Sequence, residues 1–188
     1  NNDTEQTLTP KVSLRINPGN NMNDHSTKTS NIDTSNAFNI NRLAINDFEA
    51  GRSLTLGLDY KFDKFEEYIA EDIKDKFLEF KLATIIRDQN ESDIPSSSTI
   101  NKKNSNLFGT INNKLFDNLD FTYNFSLDND MRTINSNSIE TEFSINNFVT
   151  RFDYIEQRNE LGSAHIIANT SEYKINENSI KAQNIYME

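Results

Sequence analysis

The sequence has 188 residues, no cysteine and a formal net charge of -10, from 19 lysines and arginines against 29 aspartates and glutamates. The acidic balance argues against a nucleic-acid partner, because phosphate binding needs a basic surface, and the missing cysteines exclude disulfide bonds and cysteine-based metal sites. Only 35% of the residues are hydrophobic, which is low beside the roughly 45–50% of an ordinary globular domain.

The beginning of the chain shows the pattern that dominates the rest. In TLTPKVSLRIN, residues 7–17, apolar residues recur at every second position, and Arg15 belongs to the polar set between them. Side chains of a β-strand alternate between two faces, so this stretch is predicted to be a strand with one apolar and one polar face. The first ten residues, NNDTEQTLTP, do not have the pattern of a signal peptide.

Two further strands are predicted in residues 53–62 and 76–88. In SLTLGLDYKF, Asp59 and Lys61 lie on the polar side, and the apolar side carries Leu54, Leu56, Leu58 and Tyr60. In KFLEFKLATIIRD, Glu79 and Lys81 lie on the polar side, and the apolar side carries Leu78, Phe80 and Leu82. Phe77 and Ile85 are apolar residues on the polar side of this third strand.

The clearest alternation is in NLDFTYNFSLD, residues 118–128. Asp120 and Asp128 belong to its wholly polar face, and its wholly apolar face consists of Leu119, Phe121, Tyr123, Phe125 and Leu127. The preceding stretch, NLFGTINNKL, is a weaker strand. Such a two-faced strand fits either a soluble sheet over a protein core or a membrane barrel with lipid on its apolar side.

The last third of the sequence predicts several more strands. In SIETEFSINNFVTRFDYIEQ the apolar residues change phase between Ile145 and Phe148, which predicts a bulge or a turn near Asn146 and Asn147. AHIIANTSEYKIN and SIKAQNIYME continue the alternation to the end of the chain.

The connections between these strands are of two sizes. FDN, residues 116–118, is a tight turn, whereas residues 17–36 and 87–106 are long, polar and rich in Asn and Ser. Residues 63–76, DKFEEYIAEDIKDK, are interpreted as a loop or hairpin turn, with a short helix as the alternative because Phe65, Ile69 and Ile73 have helical spacing.

The strand lengths favour a membrane barrel. The alternating runs are about eight to eleven residues long, near the 9–11 of a tilted membrane strand and longer than the usual 5–6 of soluble strands. The fold class expected is therefore all-β, an antiparallel transmembrane β-barrel segment. It has about eight meandering strands, with tight turns on one side and long polar loops on the other.

Three stretches in this order resemble the LptD family of lipopolysaccharide-assembly outer-membrane proteins. They are LTPKVSLRINPGNN, SNAFNINRLAINDFEAGRSLTLGLDYKF and FKLATIIRDQNESDIPSSSTINKKNSNLFGTI, and the NLDFTYNFSLDND strand then follows in its expected place. The likeness is to the alphaproteobacterial style of the family.

The resemblance implies a function that composition alone does not show. It implies an outer-membrane translocon that inserts lipopolysaccharide (LPS) into the outer leaflet, with LPS and outer-membrane lipid as ligands. It also implies an LptE-like lipoprotein plug and an LptA-type periplasmic bridge as partners, reached through regions that this chain lacks. Residues 1–188 are expected to be middle-to-late strands of the barrel domain, without the family's periplasmic jellyroll, the signal peptide or the gate strands.

The two faces give the candidate site residues. The lumen-facing candidates are Arg15, Asp59, Lys61, Glu79, Lys81, Asp120 and Asp128. The lipid-facing candidates are Leu54, Leu56, Leu58, Tyr60, Leu78, Phe80, Leu82, Leu119, Phe121, Tyr123, Phe125 and Leu127. The charged set either hydrates the lumen or contacts a plug or the sugar-phosphate part of LPS.

No enzyme, cofactor or metal site is expected. The two histidines, His25 and His165, are far apart in the sequence, and the acidic clusters lack a calcium-loop pattern. The glycines form no phosphate-binding motif, and Gly57 and Gly109 are interpreted as relieving crowding within strands.

Two alternatives to the translocon stay open from the residues. One is another outer-membrane barrel, a porin or channel, which shares the alternation but lacks the ordered motifs. The other is a soluble secreted β-sandwich or adhesin module, which needs a protein core against its apolar face.

Overall fold

A computed structural model describes residues 4–18, 31–43, 49–65, 76–92, 94–159, 162–175 and 178–187. Nine β-strands form one antiparallel sheet in the order of the sequence, one strand more than the approximate eight expected. They are β1 Thr4–Asn17, β2 Gly51–Lys64, β3 Lys76–Arg87, β4 Leu107–Phe116, β5 Leu119–Leu127, β6 Ile134–Ile145, β7 Phe148–Asn159, β8 Gly162–Ile175 and β9 Asn178–Met187. The described residues contain no helix of the length and apolarity that crossing a membrane requires.

The strand boundaries show that the change of phase in the last third of the sequence is a turn and not a bulge. Asn146 and Asn147 form a turn between β6 and β7, and Asn146 has a φ of 53°. Asparagine tolerates this left-handed conformation better than other side chains, which explains its place in the turn. Ile145 pairs directly with Phe148 across the turn, so both lie on one face.

The connections at the two ends of the sheet differ in length. Residues 18–50 and 88–106 connect strands at the same end as residues 128–133, and we call this the long-loop end. The opposite end has turns at residues 117–118 and 146–147, and residues 65–75 connect β2 and β3 there. The expected loop or helix in residues 66–75 lies outside the described residues, as does His25.

Cross-strand pairing gathers most apolar residues of β1 to β6 on one face of the sheet, which we call the apolar face, whereas Ile155, Ile166 and Ile185 of the last three strands lie on the opposite face. A single row of paired residues crosses all nine strands on this face. The row consists of Leu8, Tyr60, Phe80, Ile111, Tyr123, Ile139, Tyr154, Ile167 and Tyr186. All the apolar candidates named from the sequence in β2, β3 and β5 lie on this face.

The apolar band moves along the strands as it crosses the sheet. In β1 it extends from Leu8 of the row to Ile16, toward the long-loop end, whereas in β9 it extends from Tyr186 to Ile180, toward the opposite end. In β5, midway, it is centred on Tyr123 of the row. The band is therefore oblique to the rows of paired residues.

The opposite, polar face is covered near the long-loop end. Residues 31–43 and 94–106, which we call the covering segments, lie on it and form the buried core with residues of β3 and β4. The core consists of Ile32, Ala37, Leu43, Ala83, Ile85, Ile94, Ile100 and Phe108. Ile85, an apolar residue on the polar side in the sequence, is fully buried because this cover lies over it.

Two glycines in strand interiors, Gly57 and Gly109, make room for an aromatic ring. A Cβ at Gly57 would lie 2.6 Å from the ring of Phe38, which belongs to a covering segment. On the apolar face, Phe125 lies across Gly109, its partner in the β4–β5 ladder. Glycine in a strand often marks such a close approach.

Candidate functional site

Three arginines surround one glutamate beneath the cover. Arg42 donates to both carboxylate oxygens of Glu49, from Nε at 2.6 Å and from Nη2 at 2.5 Å. Arg15 donates to the same carboxylate at 2.5 Å, and Arg87 also donates to it. We call Arg15, Arg42, Glu49 and Arg87 the arginine cluster.

The members of the cluster come from three parts of the chain. Arg15 lies on the polar face of β1, and Arg87 is the last residue of β3. Arg42 and Glu49 belong to the connection between β1 and β2. The cluster therefore ties this connection to the sheet at two strands that are not neighbours.

Neighbouring hydroxyl and carbonyl groups complete the hydrogen bonding of Arg42. Its Nη1 donates to Thr55 Oγ1 at 2.9 Å and to the Ala37 carbonyl at 3.1 Å, and its Nη2 also donates to Ser53 Oγ at 3.0 Å. Ser53 and Thr55 lie on the polar face of β2. A buried charge is tolerated only when it is paired and hydrogen-bonded, and Arg42 meets that condition, whereas Nε of the buried Arg87 has no partner among the described residues.

Three members of the cluster are buried, and its charges act on one another. The side chains of Arg42, Glu49 and Arg87 are 1%, 2% and 0% exposed. Burial by itself would raise the pKa of the Glu49 carboxyl, but the hydrogen bond from Arg42 and the charges of Arg42, Arg15 and Arg87 together lower that pKa below its usual value. Glu49 is therefore held as a carboxylate.

A cavity lies on the same face, between the second covering segment and β4 to β7. Its volume is about 670 Å³, and hydroxyl and amide side chains form most of its wall. Phe108 also lines it. Asn106 donates to Ser126 Oγ at 2.8 Å within the wall, so part of its polar surface is already paired. Within the described residues, no group of acidic or histidine side chains could hold a metal ion.

The comparison with family models decides the identity. The model of LptD, described as LPS transport system D, matches residues 1–182.

The chain belongs to the LptD family.

This membership assigns the chain to LPS transport and to the outer membrane, in a family of transport proteins and not of enzymes. A comparison with curated proteins returned no match. The nine-stranded antiparallel sheet agrees with the all-β, meandering barrel segment expected from the sequence. The alphaproteobacterial likeness stays a prediction.

The structure places the charged candidates of this LptD-family chain in different surroundings. Arg15 is the one candidate in the arginine cluster. Most of the others form local ion pairs on the polar face, namely Asp59 with Lys11, Lys61 with Asp63, Glu79 with Lys81, and Asp120 with Lys114. Glu79 also accepts a hydrogen bond from Asn112 at 3.0 Å.

Asp128 lies just beyond β5 and caps a turn. Its carboxylate accepts hydrogen bonds from the backbone nitrogens of Arg132 and Thr133. These backbone bonds lower the pKa of Asp128. The residue therefore shapes the connection 128–133.

Sequence reasoning missed Arg42, Glu49 and Arg87. They lie in NINRLAIN, NDFEAG and IIRD, stretches that carried the family resemblance without any role for their charges. The arginines themselves gave a weak signal, because each has one apolar neighbour, Leu43 after Arg42 and Ile86 before Arg87. The pairing of Arg87 with Glu49 spans 38 residues, however, and no spacing rule predicts it.

Proposed function

We propose that residues 1–188 form part of the wall of the outer-membrane barrel through which LPS reaches the outer leaflet. The apolar face lies against lipid, and the polar face lines the lumen. The lipid-facing and lumen-facing candidates named from the sequence keep these roles in the proposal. The family match supports LPS as the cargo, and the oblique apolar band carries the membrane assignment.

The obliquity of the band supports a tilted membrane strand. Its centre shifts by about seven residues between β1 and β9, or about 24 Å along the strands, while the nine strands extend about 38 Å across the sheet. A band parallel to the membrane plane then requires strands tilted by about 30°, close to the roughly 35–45° of outer-membrane barrels.

The cover on the polar face gives this wall a part in transport. The sugars of LPS are hydrophilic and would travel along the polar face, whereas its acyl chains would enter the lipid sideways. The covering segments lie across that path near the long-loop end, so they must move when the sugars pass. The plug lipoprotein and the periplasmic bridge would contact other regions of the barrel.

A reversible lock of the cover tests this function. Thr34 of the first covering segment touches Thr110 of β4 through their hydroxyl oxygens, 2.6 Å apart. The chain has no cysteine, so Thr34→Cys with Thr110→Cys introduces the only disulfide that can form within it. The assay is delivery of radiolabelled LPS from the periplasmic bridge to the outer leaflet of liposomes that contain the full-length protein with its plug.

We expect the oxidised double variant to deliver LPS much more slowly, and a reductant to restore the rate. Each single cysteine variant is the matched control and should be unaffected by oxidant. Unchanged delivery by the locked protein would show that the sugars do not pass beneath this cover. Failure of the unmodified protein to deliver LPS would contradict the proposed function itself.

A further inference from the structure

An exposed apolar patch lies on the polar face of β7 to β9. Its members belong to two adjacent rows of paired residues, and Ile155 and Ile185 are 46% and 58% exposed. Isolated apolar side chains are normal at a surface, but a contiguous patch generally marks an interaction site. The patch consists of Ile155, Ile166, Ala168, Ile185 and Met187.

Two carboxylates border this patch on the side of β6. Glu140 of β6 is the direct partner of Asp153 of β7, and Asp153 is the partner of Ala168 in the patch. Neither carboxylate forms an ion pair with another described residue. Like charges directly opposite each other destabilise a pair of strands, so a cation placed here would stabilise it. We call the patch together with these two carboxylates the β6–β9 surface.

The second covering segment carries side chains that match this surface. Ile100 is fully buried in the core, whereas Lys102 is exposed and forms no ion pair with another described residue. Side chains two residues apart lie on the same side of an extended segment. In an extended conformation, Ile100 and Lys102 therefore present an apolar group and a cation together, which is the combination that the β6–β9 surface accepts.

The cavity separates the segment from the β6–β9 surface. Lys102 lines the cavity on the side of the cover, and Gln157 lines it on the side of β7. Ile155 lies two residues from Gln157 on the same face of β7, so the patch begins about 7 Å beyond the cavity wall. The space that the segment must cross is therefore already present beside it.

The length of the segment allows it to reach this surface. Ile155 is three strands and three residues from Leu107, where β4 begins, or about 18 Å. Ile100 precedes Leu107 by seven residues, which extend to about 23 Å. The move would break the backbone hydrogen bonds that link Lys103 and Ser105 to β3 and would leave β4 intact.

We propose that the β6–β9 surface is a second docking position for the second covering segment, occupied when the cover is displaced. In this position the segment crosses β6 to β8, and Lys102 pairs with Glu140. Ile100 packs on Ile155 and Ile166. The displaced isoleucine is buried again, so the cover switches between two packed positions. The inference rests on the proposed function, because passage of LPS is the reason for the cover to move.

Disulfide trapping in the liposome-embedded full-length protein tests the second position. Any cysteine outside residues 1–188 is first replaced by serine. Ser97→Cys places a thiol at an exposed position of the segment, and Ala168→Cys places the second thiol on the β6–β9 surface. We expect oxidant to cross-link this pair. Ser171→Cys in place of Ala168→Cys is the matched control and should not cross-link, because it lies on the apolar face of the same strand.

Reversal of charges tests the ion pair. Lys102→Glu should slow the cross-linking by at least about threefold, the effect of losing one exposed ion pair, and Glu140→Lys in the same protein should restore the rate. Lys103→Glu is the control and should leave the rate unchanged, because neighbouring side chains of an extended segment point to opposite sides. Equal effects of the two lysine variants, or no rescue by Glu140→Lys, would overturn the proposal.

The same liposomes distinguish this inference from the proposed function. Intact LPS delivery without a cross-link between Ser97→Cys and Ala168→Cys would overturn the second position alone. Cross-linking in a protein that delivers no LPS would support the second position and contradict the proposed function alone.

Discussion

Arg42 and Glu49, seven residues apart in one connection, are joined by two hydrogen bonds of 2.6 and 2.5 Å under a cover that excludes water. The same carboxylate binds Arg15 of β1 and Arg87 of β3. One buried carboxylate therefore holds three guanidinium groups, and the connection is fastened to the sheet through it.

Replacing Glu49 with glutamine should release this fastening. The three guanidinium groups would then lose the carboxylate that they share, and breaking a buried ion pair from one side costs about 3–5 kcal/mol. Urea unfolding of the detergent-solubilised protein measures the loss. Glu142→Gln is the control, because its pair with Arg151 is exposed and should cost at most about 1 kcal/mol. Equal losses would mean that the cluster adds little.

Acid should release the connection in the same way. The cluster lowers the pKa of Glu49 from its ordinary value of 4.5. The contribution of Glu49 to stability is then complete above about pH 4.5 and is lost as the pH falls through the lowered pKa. The readout compares two single cysteine variants in their rates of reaction with dithiodipyridine. Ala37→Cys places the thiol on the buried side of the first covering segment, and Ile40→Cys places it on the exposed side. The measured quantity is the rate for Ala37→Cys divided by the rate for Ile40→Cys.

We expect this ratio to rise in acid and to be high at every pH when Glu49→Gln is also present. A flat ratio down to the acid limit of folding would show that Glu49 does not hold the cover.

Gly109→Ala should destabilise the sheet. Its methyl group would meet the ring of Phe125, the movable end of a side chain on the apolar face, so the ring must leave its preferred rotamer at a cost of about 0.5–1.5 kcal/mol. The cost should shrink when Phe125→Leu is also made, because the shorter side chain leaves the space free. Guanidinium unfolding of the unmodified protein, the two single variants and the double variant measures the coupling between the two positions. Additive losses of unfolding free energy would rule out the steric explanation.

Arginine substitutions along one row test the oblique band. Tyr123 lies at the centre of the apolar band in β5, whereas Ile167 of the same row lies at its edge in β8. Arginine at the middle of a bilayer costs about 2–4 kcal/mol and near its interface about 0–1 kcal/mol. Tyr123→Arg should therefore destabilise the liposome-embedded protein more than Ile167→Arg, and equal costs would indicate an untilted sheet.

The two faces of the sheet were predictable from the sequence, and the cover was not. A period of two assigns each residue of Leu119–Leu127 to a face without knowledge of its neighbours. The turn at Asn146 and Asn147 was visible as a change of phase, although a bulge gives the same signal.

The cover depends on contacts that no period encodes. Thr34 bonds with Thr110 across 76 residues, and Phe38 packs on Gly57 from a stretch without alternation. Ile85 was visible as an apolar residue on the wrong side of its strand, and that was the local sign that something covers the polar face. Which segment does so follows only from the folded chain.

Spin labels along β5 test the central claim most directly. Residues 1–188 contain no cysteine, so once any free cysteine elsewhere in the full-length protein is replaced by serine, single cysteines at successive positions from 119 to 127 can carry a nitroxide in the liposome-embedded protein. We predict that labels at odd-numbered positions are reached by oxygen dissolved in the lipid, and labels at even-numbered positions by a water-soluble nickel complex. Odd positions shielded from both reagents would mean that the apolar face lies on protein, and the barrel-wall account would be wrong.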